Sequence, residues 1–187
     1  MTPPRVLVAD PPWRHDDQLP GPKRGASKHY KSTMSVEEIC GFEIPRMHED
    51  SHLFLWRVSS MVEEAYAVVR AWGFEPTSEI VWVKRTKTGK RHFGMGRTVR
   101  GEHESCIVAR RGRPPIRSAS VRSTFEGPVG AHSEKPDAFF RLIEELTFGP
   151  YHELFARRRR GYGWTCEGNE LPAASGPAWQ GKQKDPG

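Results

Sequence analysis

Apolar and polar positions fall into short blocks whose spacing predicts an alternation of strands and helices. Val6-Leu7-Val8-Ala9 is a short apolar run closed by two prolines, which predicts a buried strand. His52-Leu53-Phe54-Leu55-Trp56 reads the same way, as do Glu79–Lys84, Glu104–Arg110 around Ile107 and Val108, and a last core strand at Glu153-Leu154-Phe155. Between them, Met61, Val62, Ala65, Val68, Val69 and Trp72 recur at helical spacing. Ser60-Met61-Val62-Glu63 reads as a capping box opening that helix, and Gly73 stops it. A second capping box, Ser35-Val36-Glu37-Glu38, opens a short helix running to about Gly41. His132 to Pro136 opens another long helix, with Pro136 in its first turn and Phe139, Phe140, Ile143 and Leu146 on its buried face. Strands that alternate with helices predict an α/β domain with right-handed crossovers and a parallel sheet.

The polar segments divide these elements. Arg14 to Lys31 is a long loop rich in Gly, Pro, Lys and His beside the first strand. Residues 86–101 form a second loop, basic and glycine-bearing, of the kind that tracks phosphates. Residues 111–130 read as irregular, and Gly161-Tyr162-Gly163-Trp164 as a turn. Arg157 to Arg160 is an unbroken basic run, expected to be solvated or to face nucleic acid. After Leu171 the chain loses all periodicity, so one domain over 1–171 and a disordered tail over 172–187 are expected.

Composition narrows the partners. The 187 residues carry 29 Lys+Arg against 23 Asp+Glu, a net charge of +6, which favours a polyanion. Cys40, Cys106 and Cys166 are far apart and form no CxxC, so neither a disulfide framework nor a zinc site is expected. No apolar run approaches the length of a membrane span or a secretory core, and a soluble cytoplasmic protein with no metal is the expectation.

The chemistry concentrates at Asp10-Pro11-Pro12-Trp13, directly after the first strand. Open α/β sheets bind ligands at the carboxyl ends of their strands. A planar exocyclic amino group can donate one hydrogen to the Asp10 carboxylate and the other to a backbone carbonyl beside the prolines. Pro11 and Pro12 fix φ and carry no competing N–H, and Trp13 can cover a ring face.

These residues stand in a longer series: Tyr30 with Thr33-Met34-Ser35, Leu53-Phe54-Leu55-Trp56, Trp72-Gly73-Phe74 and Trp82-Val83-Lys84. The series continues through Gly94-Met95-Gly96, Arg100, His103-Glu104, His132-Ser133-Glu134-Lys135-Pro136, Glu153-Leu154-Phe155-Ala156-Arg157, Trp164 and Gly168-Asn169. In this order the motifs resemble the Asp-Pro-Pro-Trp type of N6-adenine methyltransferase. The resemblance implies a Rossmann-like methyltransferase fold with S-adenosylmethionine (SAM) as methyl donor and the catalytic motif placed before the cofactor motifs. It implies that Asp10, Pro11, Pro12 and Trp13 are catalytic, and that Ala9, Asp10, Ser133, Lys135, Glu153, Phe155, Arg157, Asn169 and Glu170 bind SAM. Tyr30, Arg97, Arg100, His103 and Glu104 would face the target base.

The implied roles suit the side chains. Glu153 can accept from ribose hydroxyls, Lys135 can pair with a carboxylate as a point charge, and Asn169 offers both a donor and an acceptor. Against the family pattern, Thr98 stands where a Trp is expected, Glu170 where Gln is common, and Arg159 and Arg160 replace polar residues. Without paired zinc-finger motifs of the RNA-binding kind, DNA from a bacterial or phage setting is the expected substrate, reached by extruding the base from the duplex. RNA adenosine is the alternative within the enzyme class. A catalytically silent nucleic-acid-binding subunit is the alternative outside it.

Overall fold

The computed structural model describes residues 2–14, 33–94, 98–130, 134–169 and 171. The expectations for Tyr30, Arg97, Ser133, Glu170 and the tail over 172–187 lie outside the described residues.

Among the described residues, seven strands and three helices follow one another as β1 (Val6–Ala9), α1 (Val36–Cys40), β2 (Ser51–Arg57), α2 (Val62–Ala71), β3 (Glu75–Arg85), β4 (His103–Arg111), β5 (Thr124–Pro128), α3 (Asp137–Leu146), β6 (Tyr151–Leu154) and β7 (Trp164–Glu167). They build one sheet in the order β5-β3-β4-β2-β1-β6-β7. The strands β2, β1, β6 and β7 run parallel, and β3 pairs parallel with β5. The α/β class is as expected, but the sheet is mixed. β4 pairs antiparallel with both β2 and β3, because the chain returns from β3 through the 86–102 loop and fills the place that the α2 crossover leaves between β2 and β3.

Both faces of the central strands are covered, which explains why β1 and most of β2 are buried at every position rather than every second one. On one face Leu7, Ala9, Leu53, Leu55, Ile107 and Ala109 meet α1 and α2 through Ile39, Ala65, Val68 and Val69. On the other, Val8, Phe54, Trp56, Ile80, Trp82 and Cys106 meet α3 through Phe139, Phe140 and Ile143. Trp56, Trp82, Phe54 and Phe139 are fully buried, each contributing about 2 kcal/mol or more by leaving water.

Local details follow the sequence unevenly. The Ser35 capping box closes as expected: its hydroxyl accepts from the Glu38 N–H at 3.2 Å and the Glu38 carboxylate accepts from the Ser35 N–H at 2.6 Å. The Ser60 box does not form. α2 begins one residue later, with Met61 at its cap and no side-chain capping bond, while Ser60 stays in the preceding turn. Pro136 is the cap of α3 rather than a first-turn residue. Within 111–130 the edge strand β5 forms, and the expected turn at 161–164 is present and leads at Trp164 into the edge strand β7.

Candidate active site

The tetrapeptide leaves the sheet at the end of β1, between β2 and β6. Its backbone is tied on both sides: the Trp13 N–H donates to the Pro11 carbonyl at 2.9 Å, and the Met34 N–H to the Pro12 carbonyl at 2.8 Å. Trp13 is 4 % exposed and its indole N–H donates to the Trp56 carbonyl at 3.0 Å. It packs within the α1/α2 core. The expectation that Trp13 stands over an open ring face is therefore corrected: its contribution is to anchor the turn that carries Asp10.

Asp10 faces Lys135, whose Nζ lies 2.7 Å from Oδ2, with the two side chains 19 % and 8 % exposed. Burial pushes the Asp10 carboxyl above its ordinary range, against the opposing pull of Lys135. Lys135 stands just before α3 and also reaches Glu104 Oε2 at 3.2 Å. Glu104 belongs to β4, and Lys84 near the end of β3 holds its other oxygen at 2.7 Å. Burial works to raise the Glu104 carboxyl, but Lys135 and Lys84 together leave it below the ordinary range. A carboxylate from β4 reaches this end of the sheet because β4 runs against its neighbours and so begins where β1, β2 and β6 finish.

On the other side of Asp10, Glu153 lies in β6, opposite Val8 in the parallel register. Arg160 grips both of its oxygens, Nε to Oε2 at 2.5 Å and Nη2 to Oε1 at 3.1 Å. Burial pushes the Glu153 carboxyl up, while Arg160 opposes the rise. Phe155, just past the end of β6, takes φ of 59°, a strained conformation for a non-glycine residue and one that concentrates at functional sites. It turns the chain out of the sheet toward Arg157.

A narrow cleft joins these groups, lined by Val8, Asp10, Trp56, Glu134, Lys135, Phe140, Glu153, Phe155, Arg157, Arg158 and Arg160. Of the residues singled out from sequence, Asp10, Lys135, Glu153, Phe155 and Arg157 meet here, with Glu104 attached through Lys135. Ala9 is fully buried in β1 and supports Asp10 from below. Arg100, His103 and Asn169 are exposed and do not line the cleft. Gly168 nonetheless has a clear part, because a Cβ there would fall on the Ala156 backbone beside Arg157.

Sequence reasoning missed the indole of Trp56, whose Nε1 is buried with no hydrogen-bond partner. It also missed that Arg160 turns inward. The arginine run is expected to be solvated or to face nucleic acid, yet Arg158 pairs with Glu134 and Asp137, and the Arg160 side chain is only 8 % exposed.

Comparison with known proteins places this arrangement. Residues 4–170 match the MT-A70 family model. The chain is 31% identical over 172 residues to the N(6)-adenosine-methyltransferase MT-A70-like protein of Drosophila melanogaster, covering 89% of this chain and 26% of that one. It is 32% identical over 180 residues to the N(6)-adenosine-methyltransferase catalytic subunit METTL3 of Homo sapiens, covering 89% of this chain and 28% of that one. The METTL3 subunit of Danio rerio is 31% identical over 180 residues. The chain thus spans about a quarter of the length of these curated relatives. With Asp10, Lys135 and Glu153 converging on one cleft and the match running almost end to end, the chain belongs to the MT-A70 family.

Proposed function

We propose that this domain transfers a methyl group from SAM to the N6 amino group of adenine in nucleic acid, with RNA adenosine as the preferred substrate. The observation that carries the reading is Asp10, a half-buried carboxylate at the end of a central parallel strand, held from one side so that only Oδ2 is taken by Lys135.

The residues present fit SAM. Asp10 and Lys135 offer an anion and a cation 2.7 Å apart, suited to an α-ammonium and an α-carboxylate. Glu153 is a buried acceptor suited to a ribose diol, provided Arg160 yields its place, and the Trp56 N–H is a buried donor still lacking an acceptor. When bound, SAM supplies an electrophilic methyl on a sulfonium. Asp10 accepts a hydrogen bond from the adenine amino group, which holds the nitrogen in place and favours the positive charge that develops on it as the bond forms. Lys135 pulls the Asp10 carboxyl down against the rise that its burial imposes.

The choice of nucleic acid turns on the relatives. The sequence favoured DNA because zinc-finger motifs are missing, whereas the similar proteins are named for adenosine, a ribonucleoside. That supports RNA over the initial preference. The test is methyl transfer from labelled SAM to total RNA and, in parallel, to unmethylated genomic DNA, with products digested to nucleosides. Label in N6-methyladenosine, lost in Asp10→Ala, is the expected result. Label confined to N6-methyldeoxyadenosine would restore the DNA reading. SAM binding with no transfer to either would make this a silent subunit.

A further inference from the structure

Glu104 lies between two lysines, one on each oxygen. Lys84 Nζ is 2.7 Å from Oε1 and Lys135 Nζ is 3.2 Å from Oε2, and Lys135 continues to Asp10 Oδ2 at 2.7 Å. The result is a chain of alternating charges, Lys84, Glu104, Lys135 and Asp10, with side chains 19 %, 21 %, 8 % and 19 % exposed. So little solvent reaches them that each charge leans on its neighbours rather than on water.

Lys84 does not itself line the cleft, but its place is fixed. Trp82 pairs across the sheet with Glu104, and Lys84 is two residues further along the same strand face, so its ammonium reaches Glu104 diagonally. The stem passes the Trp82 indole, with Nζ 5.7 Å from the ring centre. The Lys84 N–H donates to the Glu102 carbonyl at 2.8 Å, and its carbonyl accepts from the His92 N–H at 3.1 Å.

Lys135 is shared by two carboxylates, and the pull of Glu104 on it depends on how far Glu104 is already neutralised. We propose that Lys84 is a positioning residue for methyl transfer: by engaging Glu104 it leaves Lys135 committed to Asp10, which keeps the Asp10 carboxylate aimed and ionised. The inference rests on the methyl-transfer reading above. The charged and titratable groups around Asp10 are Lys135, Glu104 and Arg157, together with Glu153 on the neighbouring strand and the Cys106 thiol, which burial keeps neutral. Lys84 acts on this set through Glu104. Its removal leaves a bare carboxylate that draws Lys135 away and adds its own repulsion to Asp10.

The experiment compares wild type, Lys84→Met, Lys84→Arg and the double variant Lys84→Met/Glu104→Gln. Asp10 is titrated through its carboxyl carbon by NMR in the SAM-free protein, and methyl transfer to RNA is followed against pH. In Lys84→Met, Asp10 should titrate about half a pH unit or more higher, and the acid limb of turnover should move with it. Turnover near neutral pH should fall about tenfold while SAM affinity stays within about twofold. Lys84→Arg restores both, and Glu104→Gln in the double variant returns the Asp10 titration toward wild type. An Asp10 titration that stays put in folded Lys84→Met, or that shifts and is not returned in the double variant, overturns the proposal. An inactive wild type would instead remove the methyl-transfer reading, and the titration, which needs no turnover, would still decide the role of Lys84.

Discussion

Asp10, half-buried just past β1, and Glu153, buried in the adjacent β6, are two carboxylates that burial pushes upward against an opposing cation. Their cations differ in kind. Asp10 meets a lysine, a compact charge that occupies one oxygen and is shared with Glu104. Glu153 meets the planar fork of Arg160, which occupies both oxygens. A shared point charge leaves an oxygen open to an incoming donor, whereas a bidentate grip must be displaced before anything else can bind. The two acids are therefore prepared for different tasks: one stands ready, and the other is held by a side chain that competes with the ligand.

The largest effect should come from Asp10→Ala. Methyl transfer should fall about a hundred- to a thousandfold, with SAM binding partly retained by calorimetry. A variant that keeps its turnover would end the distinction between the two acids. Lys135→Ala should come next, because it leaves Asp10 and Glu104 buried without their common cation. A stability loss of about 3 kcal/mol in denaturant unfolding is expected, and a loss under about 1 kcal/mol would mean that the chain of charges is not coupled. Arg160→Ala should tighten SAM binding about fivefold at pH 8 by releasing the Glu153 oxygens. Weaker binding would make Arg160 a ligand in its own right rather than a competitor.

The subtlest effect is one of sign. Glu153 is raised in the folded protein, so its contribution to stability is present at low pH and is lost as pH rises from the ordinary carboxylate range through the raised value. Glu104 is lowered, so its contribution is present above the ordinary range and is lost as pH falls through the lowered value. Unfolding followed from pH 3 to pH 8 should show Glu153→Gln removing a decline with rising pH and Glu104→Gln removing a gain. Slopes of the same sign would refute the contrast.

The sequence carried this contrast only in part. Asp10, Lys135 and Glu153 each sit beside a local signal: two prolines after an apolar run, a helix start, and a short strand. The partners do not. Lys84 and Glu104 are 20 positions apart and meet through antiparallel pairing, which periodicity does not encode. Arg160 is the last of four identical residues, and nothing in such a run marks which one turns inward. The missed strands have the same cause. β5 and β7 lie at the two edges of the sheet, where the apolar alternation that marks a core strand fades into exposed positions. The antiparallel place of β4 was missed because alternation of strands with helices says nothing about a strand joined to its neighbour by a loop.

That reversed strand has a further consequence. Both ends of the 86–102 connection, the finish of β3 and the start of β4, emerge at the end of the sheet that carries Asp10. The whole connection can therefore be exchanged as a cassette, spliced at two neighbouring points without rethreading the core.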